Sequence, residues 1–159
     1  PAIGIMIEVP SSVFMIPEWS KKVDFCSVGS NDLTQYLLAV DRANARVADL
    51  FTSYHPGVLR VLNKIACECE QYKIPFSLCG ELGGDPEGAI LLIAMGYRRL
   101  SMNLSSLNKI KWVLRRLKVS DMDKLLTECL AQSTAKQVLR LTRNFMLDHK
   151  LGDLFYTPK

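Results

Sequence analysis

The sequence has few of the residue pairs that mark metal-binding and redox proteins. None of its five cysteines belongs to a Cys-x-x-Cys pair, and Cys67 and Cys69, two positions apart in a helical pattern, point to different helix faces. Neither of the two histidines, His55 and His149, has an acid and a nucleophile nearby in a triad arrangement. The sequence therefore predicts neither a disulfide framework nor a zinc site, and it favours a reducing compartment.

Long apolar runs, repeats and low-complexity segments are also lacking. The longest apolar run, residues 89–95, is too short to cross a bilayer. Gly80, Gly83 and Gly84 would let a ligand approach the backbone closely, but their spacing matches neither a Walker loop nor a Rossmann fingerprint. These absences favour a soluble protein outside the common nucleotide-binding classes.

The composition that remains is that of a globular domain. The chain has 159 residues, of which 48% are hydrophobic and 23% charged, enough to fill one core. The net charge of +4 is spread along the chain. A modest basic cluster could touch nucleic acid, but a solvated helix face is favoured, so no nucleic-acid partner is expected. The cluster comprises Lys109, Lys111, Arg115, Arg116 and Lys118.

Four short apolar runs end in polar or glycine-rich residues, as buried parallel strands do. They cover residues 3–10, 23–30, 74–80 and 100–104. The first run ends in Glu8 and a proline, and it is too short for an amphipathic helix. The pattern therefore predicts four strands.

The segments between these runs have helical patterns. A short helix is predicted over residues 32–40, and a longer one over 56–72, where Pro56 suits a first helical position. Asp85 is expected to cap the next helix and Gly96 to stop it. The strands thus alternate with helices, which implies parallel βαβ units in a doubly wound sheet or a barrel.

The last third of the chain has no strand pattern. Residues 105–150 split at Ser120 and Ser133 into about three amphipathic helices, with each serine as the predicted N-cap. A closed (β/α)₈ barrel usually needs about 250 residues, and four strands make half of one. Either the chain is part of a longer barrel or its open sheet pairs with something else, and the buried strand that begins almost at once favours the first of these.

Polar residues follow each predicted strand, where parallel α/β folds place their active sites. Glu8 follows the first strand, residues 30–32 the second, residues 79–81 the third, and Asn103 the fourth. Each has an ordinary structural interpretation: a strand leaving the core for Glu8, a helix cap for an acid in residues 30–32, or a small buried hydrophobe for a cysteine. Their joint position at one end of a sheet favours a functional site.

The chemistry of these residues suits a phosphorylated substrate. Glu8 and Asp32 offer hard oxygen ligands, and two carboxylates completed by water and substrate oxygens suit Mg²⁺. Asn31 and Asp32 are expected to open a helix whose free N–H groups and positive dipole end attract anions. Arg42 offers a planar fork for the same anion, although a surface salt bridge is the alternative.

Four motifs resemble the C-terminal domain of phosphoenolpyruvate-protein phosphotransferase, enzyme I of the bacterial phosphotransferase system. They are residues 4–10, 24–36, 39–42 and 79–85, in the order that the family has them. The tail, from the segment 100–103 into the basic helix, is more similar to the nitrogen-related paralogue than to the sugar form.

The resemblance assigns a role to each matching residue. It implies that Glu8 and Asp32 hold Mg²⁺, that Asn31, Asp32 and Arg42 bind phosphoenolpyruvate, and that Cys79 protonates the enolate of pyruvate. An ordinary thiol has a pKa of about 8.5 and can act as an acid at neutral pH. The transfer leaves an enolate, so its catalysis needs a cation, anion-binding groups and an acid.

The resemblance also implies that residues 1–159 are the C-terminal half of an α/β (β/α)₈ barrel, ending in several helices and without the upstream strands. Arginines on earlier barrel strands and a phosphorylated histidine on another domain are expected upstream, so this chain alone should not turn over. A histidine-containing phosphocarrier protein, a homodimer and a cytoplasmic location are implied as well. Two alternatives stay open: a pyruvate phosphate dikinase or phosphoenolpyruvate synthase, which share the barrel, and a non-catalytic dimerisation or regulatory module.

Overall fold

A short parallel sheet organises the protein, for which a computed structural model describes residues 1–152. Strands β1 (Gly4–Ile7), β2 (Phe25–Gly29) and β3 (Phe76–Cys79) lie in the order β1-β2-β3, with β2 in the centre. In the register Ile7 lies opposite Val28, and Gly29 opposite Cys79. All three strands therefore end at the same edge of the sheet.

Eight α-helices accompany the sheet in the described residues. They are α1 (Pro10–Val13), α2 (Ile16–Trp19), α3 (Ser30–Leu38), α4 (Pro56–Gln71), α5 (Pro86–Ala94), α6 (Leu104–Leu114), α7 (Val119–Leu130) and α8 (Ala135–Asp148). Two short 3₁₀ helices, Ala48–Leu50 and Glu81–Gly84, lie in the loops. The mixed α/β class and the parallel pairing are as predicted. None of the helices in this part of the chain is long and apolar enough to span a membrane.

The two faces of the sheet differ in burial. Ile7, Val28 and Leu78 are fully buried in the core that the helices form on one face. On the other face Met6 is 47% and Phe25 38% exposed. The second face is therefore a partly apolar surface that the described residues leave uncovered. Parallel sheets normally have both faces covered.

Helix α4 supplies much of the core because its apolar residues recur at helical spacing. Pro56 occupies the first helical position, as predicted, and Leu62 and Ile65 are fully buried. The phenol of Tyr97 reaches this helix from the segment after α5 and donates a hydrogen bond to the Leu62 carbonyl at 3.0 Å. The Tyr97 ring also packs edge-on against Phe76. These contacts fix α4 against β3.

Several predicted boundaries are correct because local backbone chemistry decides them. Helix α5 ends before Gly96, which has a φ of +103° that a glycine adopts without strain. The three tail helices are present, and Cys67 is exposed while Cys69 is buried, in agreement with their predicted opposite faces.

Other predictions were wrong. The segment 100–104 is not a strand, since only Leu100 forms an isolated parallel bridge, to Leu78, and Leu104 already begins α6. Ser120 is not an N-cap, because α7 begins at Val119 with Lys118 as its N-cap, two residues earlier than predicted. The sequence also gave no indication of the short helices α1 and α2.

The cap of α8 lies one residue beyond the predicted Ser133. Thr134 accepts a hydrogen bond from the Gln137 backbone N–H, and the Gln137 side chain accepts one from the Thr134 N–H. This reciprocal pair is a capping box, which satisfies two helix-end donors at once. A lone serine cannot match it, so Thr134 is the N-cap and the helix begins at Ala135.

The core of α4 gives a direct test of packing. Leu62→Ala should lower the free energy of unfolding by about 2–5 kcal/mol, because it leaves a cavity at a fully buried site. Leu104→Ala makes the same chemical change at a side chain that is 84% exposed and should cost less than about 0.5 kcal/mol. Chemical denaturation of both variants measures the difference. Equal losses would contradict this assignment of the core.

A second test uses Glu87, which joins α5 to α8. Burial raises the pKa of this half-buried carboxyl, and a hydrogen bond from the fully buried Thr142 hydroxyl at 3.0 Å opposes the rise. Because its folded-state pKa is raised, Glu87 contributes stability at acidic pH. This contribution is lost as the pH rises through the folded-state pKa of Glu87.

Glu87→Gln should therefore gain stability relative to the wild type as the pH rises from about 4 to 7. Thr142→Val should lose more stability than the wild type over the same pH range. It removes the hydrogen bond that opposes the rise of the Glu87 pKa. Denaturation curves at several pH values measure both. A stability difference between Glu87→Gln and the wild type that stays constant with pH would refute the interpretation.

Candidate functional site at the carboxyl edge of the sheet

Three strand ends meet at one edge of the sheet and carry the candidate residues. Glu8 follows β1, α3 begins at Ser30 directly after β2, and Gly80 follows β3. Because Gly29 pairs with Cys79, the first turn of α3 lies beside the loop after β3. The sheet register thus brings together segments that are about 20 to 70 residues apart in the sequence.

Glu8 leans over the end of the neighbouring strand. A Cβ atom at Gly29 would lie 2.8 Å from Glu8 Oε2 and 2.9 Å from Glu8 Cβ, so only glycine leaves room for this side chain. Gly29 is also the residue before α3, whose first turn contains Asp32. Glu8 therefore lies beside the residue that precedes α3, Asp32 lies in the first turn of that helix, and both residues are half-buried.

The first turn of α3 is joined to the loop after β3. Asn31 Oδ1 accepts a hydrogen bond from the Glu81 N–H at 3.4 Å, and Ser30 Oγ donates one to the Cys79 carbonyl at 3.2 Å. Gly80 has a φ of +130°, and a side chain there would collide with Ser30. The close approach and the backbone conformation both require glycine at this point.

The Cys79 thiol has polar and sulfur neighbours rather than a purely apolar surrounding. Its Sγ lies 3.6 Å from Ser27 Oγ, 3.6 Å from Met6 Sδ and 3.4 Å from the Val28 carbonyl. Cys79 is only partly buried. The thiol is thus accessible from the uncovered face of the sheet.

Arg42 is placed differently from the other candidates. It lies in the loop between α3 and α4, where residues 41–46 are all exposed. Within residues 1–152 it makes no hydrogen bond or ion pair, and it does not contact Asn31 or Cys79. The structure therefore brings Glu8, Asn31, Asp32 and Cys79 to one edge but leaves Arg42 in the loop.

A cavity of about 610 Å³ adjoins this edge. It extends from Asn31 and Glu81 past Asp85 to Lys109 on α6. Asn103, the predicted polar end of a fourth strand, lines it from the N-cap of α6. The cavity therefore joins the candidate residues to the basic helix of the tail.

Asp85 was predicted only as a helix cap, and the structure adds a partner. It occupies the N-cap position of α5, and its carboxylate accepts a hydrogen bond from the phenol of Tyr54 in the loop after α3. Burial raises the Asp85 pKa, while the Gly88 N–H and the charge of Lys109 oppose the rise. Sequence reasoning missed this contact because no spacing rule connects the two positions.

Arg116 and the two histidines have contacts that explain them structurally. The Arg116 guanidinium stacks 3.9 Å above the Trp112 ring. His55 Nδ1 accepts a hydrogen bond from the Gly57 N–H at the start of α4, and the His149 ring packs against Phe145 at the end of α8. His149 Nε2 also lies 3.8 Å from Asp121 Oδ2, and neither histidine lines the cavity beside the candidate site.

Comparison with known proteins gives consistent results. A family described as PEP-utilising enzyme, PEP-binding domain matches residues 1–119. The chain is 49% identical over 154 residues to a protein of Escherichia coli K12 named phosphoenolpyruvate-dependent phosphotransferase system. That alignment covers 97% of this chain and 21% of the relative.

Two further relatives have related names. A phosphoenolpyruvate-protein phosphotransferase of Borreliella burgdorferi is 38% identical over 146 residues, which cover 92% of this chain and 26% of the relative. A multiphosphoryl transfer protein of Rhodobacter capsulatus is 43% identical over 136 residues, with coverages of 86% and 16%. The chain thus spans about a quarter or less of the length of these relatives, and the family match over residues 1–119 includes the segments 4–10, 24–36, 39–42 and 79–85. By this match the chain belongs to the phosphoenolpyruvate-utilising enzymes, through their phosphoenolpyruvate-binding domain.

Proposed function

We propose that this chain is the part of a phosphoenolpyruvate-protein phosphotransferase that binds phosphoenolpyruvate and Mg²⁺. The phosphoryl group goes to a protein histidine and pyruvate is released. The observation that carries the proposal is the meeting of two carboxylates, an amide and a thiol at one edge of a parallel sheet. The names of the relatives support the same reaction.

The carboxylates fit a magnesium ion. Within residues 1–152 no group of three or more His, Cys, Asp or Glu side chains could enclose a metal. Mg²⁺ prefers one or two carboxylates plus water and substrate oxygens, so Glu8 and Asp32 at the base of α3 form a suitable donor set. When bound, the ion would neutralise charge on the phosphate and on the enolate oxygen.

The start of α3 fits the anionic substrate. The N–H groups of its first turn have no partners within the helix, and the helix dipole adds positive potential there. Asn31 and Asp32 lie in this turn, and Asn31 is held by the Glu81 N–H. Arg42 would reach the substrate through movement of its exposed loop, since nothing fixes it to another part of the described chain.

Cys79 fits the role of the acid. Cleavage of the P–O bond gives the phosphoryl group to the histidine and leaves the electron pair on the enolate oxygen. The methylene carbon then takes a proton, and the thiol at the end of β3 can supply it. Its partial exposure on the uncovered sheet face supports this role.

The uncovered face also supports a larger domain. Met6 and Phe25 are exposed on a sheet that has helices on one face only. We propose that further strands complete a (β/α)₈ barrel over this face, and that the upstream arginines and the phosphorylated histidine belong to the same protein. A homodimer, a cytoplasmic location, a histidine-containing phosphocarrier as partner and the nitrogen-related branch complete the proposal.

The metal assignment predicts the behaviour of two variants. In the full-length protein, Glu8→Ala and Asp32→Ala should each lower phosphohistidine formation from phosphoenolpyruvate by about a hundredfold or more, because substrate charge is left poorly neutralised. Glu18→Ala removes an exposed acid on α2 and should have no effect. Raising the Mg²⁺ concentration should rescue the two site variants partly. Near-normal rates in either at ordinary Mg²⁺ would exclude that residue as a ligand.

The acid assignment predicts that two steps separate. Cys79→Ser keeps the side-chain volume but supplies a weaker acid, so phosphohistidine should still form while pyruvate release slows by about a hundredfold to ten-thousandfold. Quench-flow for the first step and deuterium incorporation into pyruvate for the second measure this. A purely structural role would instead lower the melting temperature and leave both rates of the folded protein unchanged.

A further inference from the structure

A row of hydroxyl groups leads along the uncovered sheet face to the Cys79 thiol. Ser27 on β2 and Ser77 on β3 lie directly opposite each other in the register. Ser77 Oγ donates a hydrogen bond to Ser27 Oγ at 3.4 Å, and Ser27 Oγ donates one to Cys79 Sγ at 3.6 Å. The second distance suits a sulfur acceptor, which is larger than oxygen. Because strand side chains alternate with period two, Ser77 and Cys79 share this face.

The direction of these bonds is consistent along the row. Each serine donates towards the thiol, while the thiol proton itself has two acceptors, the Val28 carbonyl at 3.4 Å and Met6 Sδ at 3.6 Å. The sulfur can thus receive a hydrogen bond from Ser27 whether or not it carries a proton. An acceptor that becomes anionic strengthens such a bond.

The two hydroxyls have no other role in the described structure. Neither caps a helix, and their only hydrogen bonds within residues 1–152 are those of the row. Both serines are half-buried, so their hydroxyls are partly removed from water but still in reach of it. Apolar residues would suit strand packing better, so the polar row needs another explanation.

We infer that Ser77 and Ser27 form a hydrogen-bond relay that stabilises the Cys79 thiolate and returns a proton to it after each turnover. The inference rests on the proposed function of Cys79 as the acid. When the thiol gives its proton to the enolate carbon, a C–H bond forms, the S–H bond breaks and a thiolate remains. Ser27 passes its proton to the sulfur as it takes one from Ser77, and Ser77 takes one from a water molecule, which leaves as hydroxide into the bulk solvent. The net change is the transfer of one proton from solvent to pyruvate.

Ser27 and Ser77 are therefore positioning residues that act through Cys79. Three acidic residues, Glu8, Asp32 and Glu81, follow the three strand ends, and among the described residues none of them makes a hydrogen bond to the thiol. They remain unchanged in the serine variants. Any change in thiol reactivity in those variants thus reports on the row itself.

The first experiment measures alkylation of Cys79 by iodoacetamide against pH in the full-length protein. Mass spectrometry of the Cys79 peptide separates it from the exposed Cys67. In Ser27→Ala the midpoint of the alkylation profile should move upward by about one to two pH units, because the thiolate loses a hydrogen bond. Ser77→Ala should move it less, and Ser27→Thr should restore it. Ser120→Ala, at an exposed position on α7, is the matched control.

The second experiment measures the reaction itself. Ser27→Ala should slow pyruvate release by about tenfold or more while phosphohistidine formation stays normal, and Ser27→Thr should recover release. An unchanged alkylation midpoint in folded Ser27→Ala would overturn the contact. A shifted midpoint with normal pyruvate release would overturn the proton return. If the wild type forms no phosphohistidine from phosphoenolpyruvate, the proposed function fails, and the alkylation profile still tests the row.

Discussion

The common register of three parallel strands decides where every candidate residue lies. Ile7 pairs with Val28 and Gly29 with Cys79, so β1, β2 and β3 end together. The side chains that follow these ends must then share one edge, whatever their distance in sequence. This arrangement requires two glycines, since a side chain at Gly29 would displace Glu8 and one at Gly80 would collide with Ser30. Gly29 and Gly80 thus determine both how the strand ends pack and where the candidate side chains lie.

The part of the fold that depends on local chemistry could be predicted from the sequence. Short apolar runs predicted the three strands, Pro56 predicted the start of α4, and Gly96 predicted the end of α5. The failures have a physical cause as well. The run 100–104 has the composition of a strand but pairs only at Leu100. At α8 the reciprocal bonds between Thr134 and Gln137 decided the cap, so Ser133 did not become one.

The candidate site also has some features that the sequence could predict and others that it could not. The positions of Glu8, Asp32 and Cys79 at the strand ends could be predicted because a polar residue after an apolar run is visible in the sequence, whereas their roles stay predictions. The serine row and the contact of Tyr54 with Asp85 could not, because they depend on cross-strand pairs and on a loop position that no spacing rule gives. The one indication of the serine row in the sequence was the spacing of Ser77 and Cys79, which are two residues apart on β3 and therefore share a face of the sheet. Pairing Ser77 with Ser27 still required the register.

Metal binding at the base of α3 is the central claim, and diffraction tests it most directly. Crystals of the full-length protein with phosphoenolpyruvate and Mn²⁺, which takes the same oxygen ligands as Mg²⁺, would give an anomalous peak at the ion. We predict one peak in contact with both the Glu8 and the Asp32 carboxylates, with a phosphoenolpyruvate oxygen completing the coordination. A fully occupied Mn²⁺ elsewhere, with both carboxylates bound only to water, would contradict the assignment.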